Sequence, residues 1–207
     1  MTKNTLGKTY ALTLCDNDKY VYYHNLKCAT RTIISFLSHH STVHHSYEEK
    51  NINKQLTYDS EWDNYFQFSF VRNPYDRLLS CFFDKTKKVI NDTWEIKCYK
   101  QYADVNFKDF VMGLSKYPWH HHDRHLAPQT DLINLKTTHF IGRFENLAND
   151  FLYVAKVLDL EDHYDFFGLS KKNTTDHKHY REYYDAEMVD KVRYIYNADF
   201  ERFGYEF

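Results

Sequence analysis

A run of β-branched and aromatic residues that passes straight into a helical pattern occurs twice in this chain. That doublet limits the possible folds more than any other feature. Residues 20–24 (Tyr-Val-Tyr-Tyr-His) read as a buried strand. A short polar loop over 25–31 follows, and then a helical pattern from 32 to 39. Residues 66–71 (Phe-Gln-Phe-Ser-Phe-Val) form a second apolar strand, and Arg72-Asn73-Pro74 leads from it into a helix reaching about residue 88. Asn73 is a good N-cap type, and Pro74 suits the first helical position, where its missing N–H costs nothing. The spacing predicts a helix over 106–116, with Phe107, Phe110, Val111 and Leu114 on one face, and a loop over 117–130. A third strand is expected at 139–142, an amphipathic helix at 145–158 and a last helix at 187–203. Strands alternating with helices predict an α/β fold, a central and mainly parallel sheet flanked by helices. No repeat, low-complexity tract or Pro/Gly linker divides the chain, so residues 1–207 are expected to be a single domain. In such sheets ligands bind beyond the carboxyl ends of the strands, where both strand-to-helix loops lie.

Composition narrows the function. Lys+Arg 27 against Asp+Glu 29 gives a formal net charge of -2, which argues against coating nucleic acid or an anionic membrane through bulk charge. It leaves room for a local basic pocket. The cysteines Cys15, Cys28, Cys81 and Cys98 form no CxxC pair, so reduced thiols are expected. The first eighteen residues lack the pattern of a signal peptide, and no apolar stretch is long enough to span a bilayer. The expectation is a soluble cytoplasmic protein with no membrane insertion and no nucleic-acid partner. On that reading the Asn-x-Thr sequons at Asn91 and Asn173 are chance.

The first loop reads Asn25-Leu26-Lys27-Cys28-Ala29-Thr30-Arg31-Thr32. A tight turn from strand to helix aims backbone N–H groups at an anion. Lys27 adds a full charge, and Thr30 and Thr32 add hydroxyls. The loop lacks the glycines of a Walker A motif. By itself, such a lysine and two threonines more often describe a solvated helix start and an N-cap. The second loop places Arg72 at a strand end and Ser80 eight residues on, two helical turns later. An arginine fork plus a hydroxyl suits a terminal phosphate. The competing reading is an arginine that pins its own fold. Together the loops suggest one elongated ligand with phosphate-like groups at both ends. Two rivals stay open. An ATP-dependent small-molecule kinase would require magnesium and a Gly-rich phosphate loop. A non-catalytic metal or interaction module could be built on His120-His121-His122-Asp123-Arg124-His125.

The pair of segments 26–32 and 70–80 resembles the two cofactor loops of the carbohydrate sulfotransferase family. The resemblance continues through Asp123-Arg124-His125-Leu126-Ala127-Pro128-Gln129, Phe140-Ile141-Gly142-Arg143-Phe144-Glu145-Asn146-Leu147 and the closing Phe203-Gly204-Tyr205. It implies a P-loop-NTPase-like sulfotransferase fold and 3′-phosphoadenosine 5′-phosphosulfate (PAPS) as co-substrate, with no metal. The implied reaction is in-line sulfuryl transfer to a hydroxyl or amine of an acceptor, a glycan by family default or else a small molecule. Carried over residue by residue, it implies that Lys27, Cys28, Ala29, Thr30, Arg31 and Thr32 hold the 5′-phosphosulfate. Arg72 and Ser80 would hold the 3′-phosphate. His125 aligns with the family's histidine before Pro-Gln and leads as catalytic base, with His122 second. Lys172 and Thr174, in the basic segment 171–175, would be further cofactor contacts on the same resemblance, the competing reading being a solvated loop. Ala29-Thr30 stands where a Gly-Ser or Gly-Thr step is usual, and Leu126 replaces a tryptophan.

Overall fold

The computed structural model describes residues 9–40, 56–57, 59–86, 105–114, 123–164 and 178–207. Contacts divide the chain into two compact units, Met1–Val71 with Asp131–Leu169, and Arg72–Thr130 with Ser170–Phe207.

The first unit holds the sheet. β1 (Thr9–Tyr10) pairs with β4 (Leu56–Thr57) in a small antiparallel ladder. The four-stranded sheet runs in the order β2 (Leu12–Cys15), β3 (Tyr20–Tyr23), β5 (Phe66–Val71), β6 (Phe140–Arg143). β3, β5 and β6 are parallel, with Tyr20 opposite Phe66 and Phe68 opposite Phe140, as the alternation of strands and helices predicts. β2 is an antiparallel edge strand that the sequence reading did not anticipate. Its signal was present in a short apolar run before Asp16-Asn17-Asp18-Lys19, a cluster of turn residues in which Lys19 takes φ 51°. The third strand ends one residue later than predicted, at Arg143.

Two helices of this unit pack against the sheet. α1 (Thr30–His40) contributes Ile33, Phe36 and Leu37, and α5 (Leu147–Val157) contributes Phe151, Val154 and Ala155. They meet Tyr20, Tyr22, Phe68 and Phe70 in one core, with Phe36 edge-on to Phe151 at 5.1 Å between ring centroids. α1 begins two residues before the predicted start because Ile33 N–H already donates to Ala29 O. The helix predicted over 145–158 opens with a 3₁₀ turn, Phe144–Asn146, before α5 proper. β6 passes so close to its neighbour that a Cβ at Gly142 would lie 2.3 Å from Phe70 Cε1.

The described residues of the second unit are mainly helical. α2 (Pro74–Thr86) and α3 (Phe107–Gly113) precede α6 (Ala186–Ile195) and α7 (Asn197–Phe203), while α4 (Gln129–Leu132) is a single turn at the end of the segment predicted as loop. Asn106 caps α3 by accepting from Asp109 N–H, and Asp185 caps α6 by accepting from Met188 N–H. The apolar face predicted on α3 is buried at Phe107, Phe110, Val111 and Leu114. The single helix expected over 187–203 is broken at Tyr196 (φ −106°, ψ 27°). Periodicity does not register such a break, because both halves keep an apolar face. The physical reason is that Tyr196 and Asp199 are drawn inward by polar partners seventy residues away, at Leu126 O and Gln129 N–H. No helix among the described residues is long and apolar enough to cross a membrane.

Candidate active site

The first candidate loop leaves the carboxyl end of β3. Asn25 is fully buried, and its side-chain amide donates to Phe70 O on neighbouring β5 (3.0 Å). Thr30 Oγ1 donates back to Asn25 O (2.6 Å), closing the loop from within. Between them, Lys27 (φ 71°) and Ala29 (φ 61°) both adopt the left-handed conformation. For an L-residue this costs of order 1–2 kcal/mol, so it persists only where the surroundings impose it. Left-handed residues at such a turn aim successive N–H groups into a concavity that suits an anion. α1 starts immediately afterwards, and the N–H groups of Thr30, Arg31 and Thr32 belong to the first turn, where no intrahelical acceptor exists. Ala29 thus takes the backbone shape for which the usual residue is glycine.

The side chains of this loop divide by burial. Lys27 and Thr32 are half-buried and Arg31 is exposed. Cys28 is wholly buried in the core of the first unit, so its contribution to any ligand is through the backbone. Tyr22 lies beneath the loop, fully buried. Burial pushes its phenol far above the ordinary range.

The second loop opens the helical unit. Arg72 is buried, and both of its backbone groups are held by one side chain: its N–H donates to Gln129 Oε1 (2.9 Å) and its carbonyl accepts from Gln129 Nε2 (2.8 Å). Arg72 Nε donates to Asp76 Oδ2 at 2.8 Å, which fixes the direction in which the guanidinium fork opens. Asp76 and Ser80 are four residues apart on α2 and share a face, so Arg72, Asp76 and Ser80 form one row. Ser80 is 5% exposed. Asn73 caps α2 through Tyr75 N–H, as its residue type predicts, and also donates to Glu206 O and the Tyr180 hydroxyl.

His125 sits in a turn that the same unit holds from several sides. Arg77, 2% exposed, donates to Ala127 O (2.9 Å) and Arg124 O (3.0 Å). Tyr196 donates to Leu126 O, and the buried Asp199 carboxylate accepts from Gln129 N–H and Thr130 N–H. Desolvation raises the Asp199 carboxyl, while those two N–H groups and Arg77 oppose the rise. Leu126, in the family's tryptophan position, is fully buried. His125 Nδ1 lies 3.0 Å from Asp123 Oδ1, and the same oxygen accepts from His125 N–H at 2.8 Å.

The candidate site residues therefore fall into two groups. Lys27 to Thr32 share one loop of the first unit, and Arg72, Ser80 and His125 belong to the second. His122, Lys172 and Thr174 lie outside the described residues. Sequence reasoning missed Asn25, Asp76, Arg77, Asp123, Gln129 and Asp199 as parts of the scaffold. Only Asp76 carried a local signal, four residues after Arg72 with the opposite charge.

A family model described as Sulfotransferase family matches residues 2–206, essentially the whole chain. No curated protein and no solved structure matches it.

Proposed function

The chain belongs to the sulfotransferase family, and from that premise we propose that it moves the sulfuryl group of PAPS to a hydroxyl-bearing acceptor, with a carbohydrate as the leading class. The observation that carries this reading is the left-handed pair Lys27 and Ala29 at the start of α1, backbone strain concentrated where an anion would be held.

PAPS supplies an activated sulfuryl group whose leaving side is a phosphate. The N–H groups of Ala29 to Thr32 suit the oxygens of its 5′ end, and Lys27 puts a cation where negative charge grows on the leaving oxygen. Arg72 and Ser80 suit the 3′-phosphate, which sets alignment rather than chemistry. His125 takes the acceptor's proton as the new oxygen–sulfur bond forms and the old sulfur–oxygen bond breaks toward the phosphate. Histidine, with an ordinary pKa of about 6.5, suits that task at neutral pH.

Thermal melting with 3′-phosphoadenosine 5′-phosphate, beside ADP and ATP-magnesium, tests the reading. A ligand at 100 times its Kd stabilises by about 2.7 kcal/mol, a rise of roughly 5–10 °C at this size. The expected result is a rise with the 3′-phosphorylated nucleotide alone, lost in Arg72→Ala. A rise confined to ATP-magnesium would sink it.

A further inference from the structure

We infer that Asp123 is the positioning residue for His125, holding the imidazole as the tautomer that carries its proton on Nδ1 and its lone pair on Nε2. The inference rests on the reading of His125 as the base given above and assigns a role that the family match does not.

The geometry has three parts. First, one carboxylate oxygen, Asp123 Oδ1, faces both the His125 backbone N–H (2.8 Å) and Nδ1 (3.0 Å). An acceptor shared in this way leaves Nδ1 only the donor's part, which puts the lone pair on Nε2. Second, both side chains are largely enclosed, at 16% and 18% exposed, so the pair is shielded from the screening that makes surface ion pairs weak. Third, the turn cannot drift. Leu126 and Ala127 N–H both donate to Asp123 O, and Arg77, Tyr196 and Asp199 grip the carbonyls and amides that follow. A base used in proton transfer gains most when its ring is held in this manner by a third group.

The chemistry balances without a further reactant. The acceptor hydroxyl's proton passes to Nε2, and the ring becomes an imidazolium that keeps its Nδ1 proton on the Asp123 carboxylate. The positive charge formed on the ring is met by a fixed negative one. Among the described residues, the charged or titratable groups that bond the turn are Arg77 from α2, Tyr196 at the end of α6 and Asp199 of α7, with Arg124 beside the pair. Asp199 accepts from the backbone of Gln129 and Thr130, so of these groups Asp123 is the carboxylate bonded to the ring.

Two variants separate positioning from folding. Asp123→Asn keeps an oxygen for the backbone N–H but removes the charge, whereas Asp123→Ala removes both. Nitrogen-15 spectra of the ring in the unmodified protein should show a protonated Nδ1 and a lone pair on Nε2. A neutral ring protonated on Nε2 overturns the pairing. In sulfuryl-transfer assays Asp123→Asn should melt within a few degrees of the parent, keep its KM and lose roughly tenfold or more in kcat. The acid limb of its pH–rate profile should move down by about one pH unit, the scale of a lost neighbouring charge. An unchanged kcat and limb in Asp123→Asn overturns the role. The tautomer spectrum needs no turnover, so an inactive parent protein with the expected tautomer would count against the proposed reaction and leave the pairing intact.

Discussion

Replacing Ala29 by glycine should stabilise the protein. An L-residue at φ 61° carries of order 1–2 kcal/mol of backbone strain, and glycine gives back only about 0.4–1 kcal/mol in chain entropy. The net expectation is a gain of about 1 kcal/mol, read as a higher urea midpoint at constant slope. A lowered midpoint would mean that the Ala29 methyl contributes more to the core than its strained backbone costs. At this scale the sequence was most legible where chemistry and local spacing coincide. Lys27 and Arg72 each stand at a strand-to-helix loop, and that placement could be read from the strand patterns. What holds them was not readable, because Gln129 lies 57 residues from Arg72 and Phe70 lies 45 from Asn25. An amide side chain carries no periodic signal that names its distant partner.

Elements were legible to the extent that they repeat. The helices with apolar faces and the parallel strands follow from spacing, and β2 had a local signal in the turn residues that join it to β3, whereas the break at Tyr196 depends on partners seventy residues away. Close sheet contact gives one prediction here. Gly142→Ala forces a methyl against the Phe70 ring, which must then move in a filled core, and should cost about 1–3 kcal/mol in urea denaturation. The end of α1 gives another. His40 is exposed yet stacks on His163 at 4.6 Å between ring centroids, and partial desolvation, then the charges of His163 and His39, hold its imidazole below the ordinary 6.5. Neutral His40 is therefore the form that the fold favours. Its contribution is whole above the ordinary value and is lost as pH falls through the lower, folded one. The melting temperature should drop between about pH 7.5 and 5.5, and drop less in His163→Gln, which removes a like charge. Equal drops in both proteins would show that the stacked pair is not the cause.

At the scale of the whole molecule, the chain passes between its two units three times, after Val71, Thr130 and Leu169. Each unit is thus assembled from separated stretches of sequence, although one family model spans both. A fragment ending at Thr130 lacks β6 and α5, and with α5 Phe151, Val154 and Ala155 from the core of the first unit. It should show no cooperative thermal transition by circular dichroism, and a sharp transition would mean that β2, β3 and β5 suffice. The clasp of Gln129 on Arg72 has a consequence of its own in this topology. The excursion between the first two crossings is drawn shut at its neck, because the residue that begins it and the residue next to its end are tied by a single amide. It behaves as a noose with a fixed knot. The entropy of closing such a loop grows only with the logarithm of its length, about 0.6 kcal/mol for each doubling. Insertions or deletions far from the knot could therefore reshape the excursion over evolutionary time while the arginine at its mouth stays where it is.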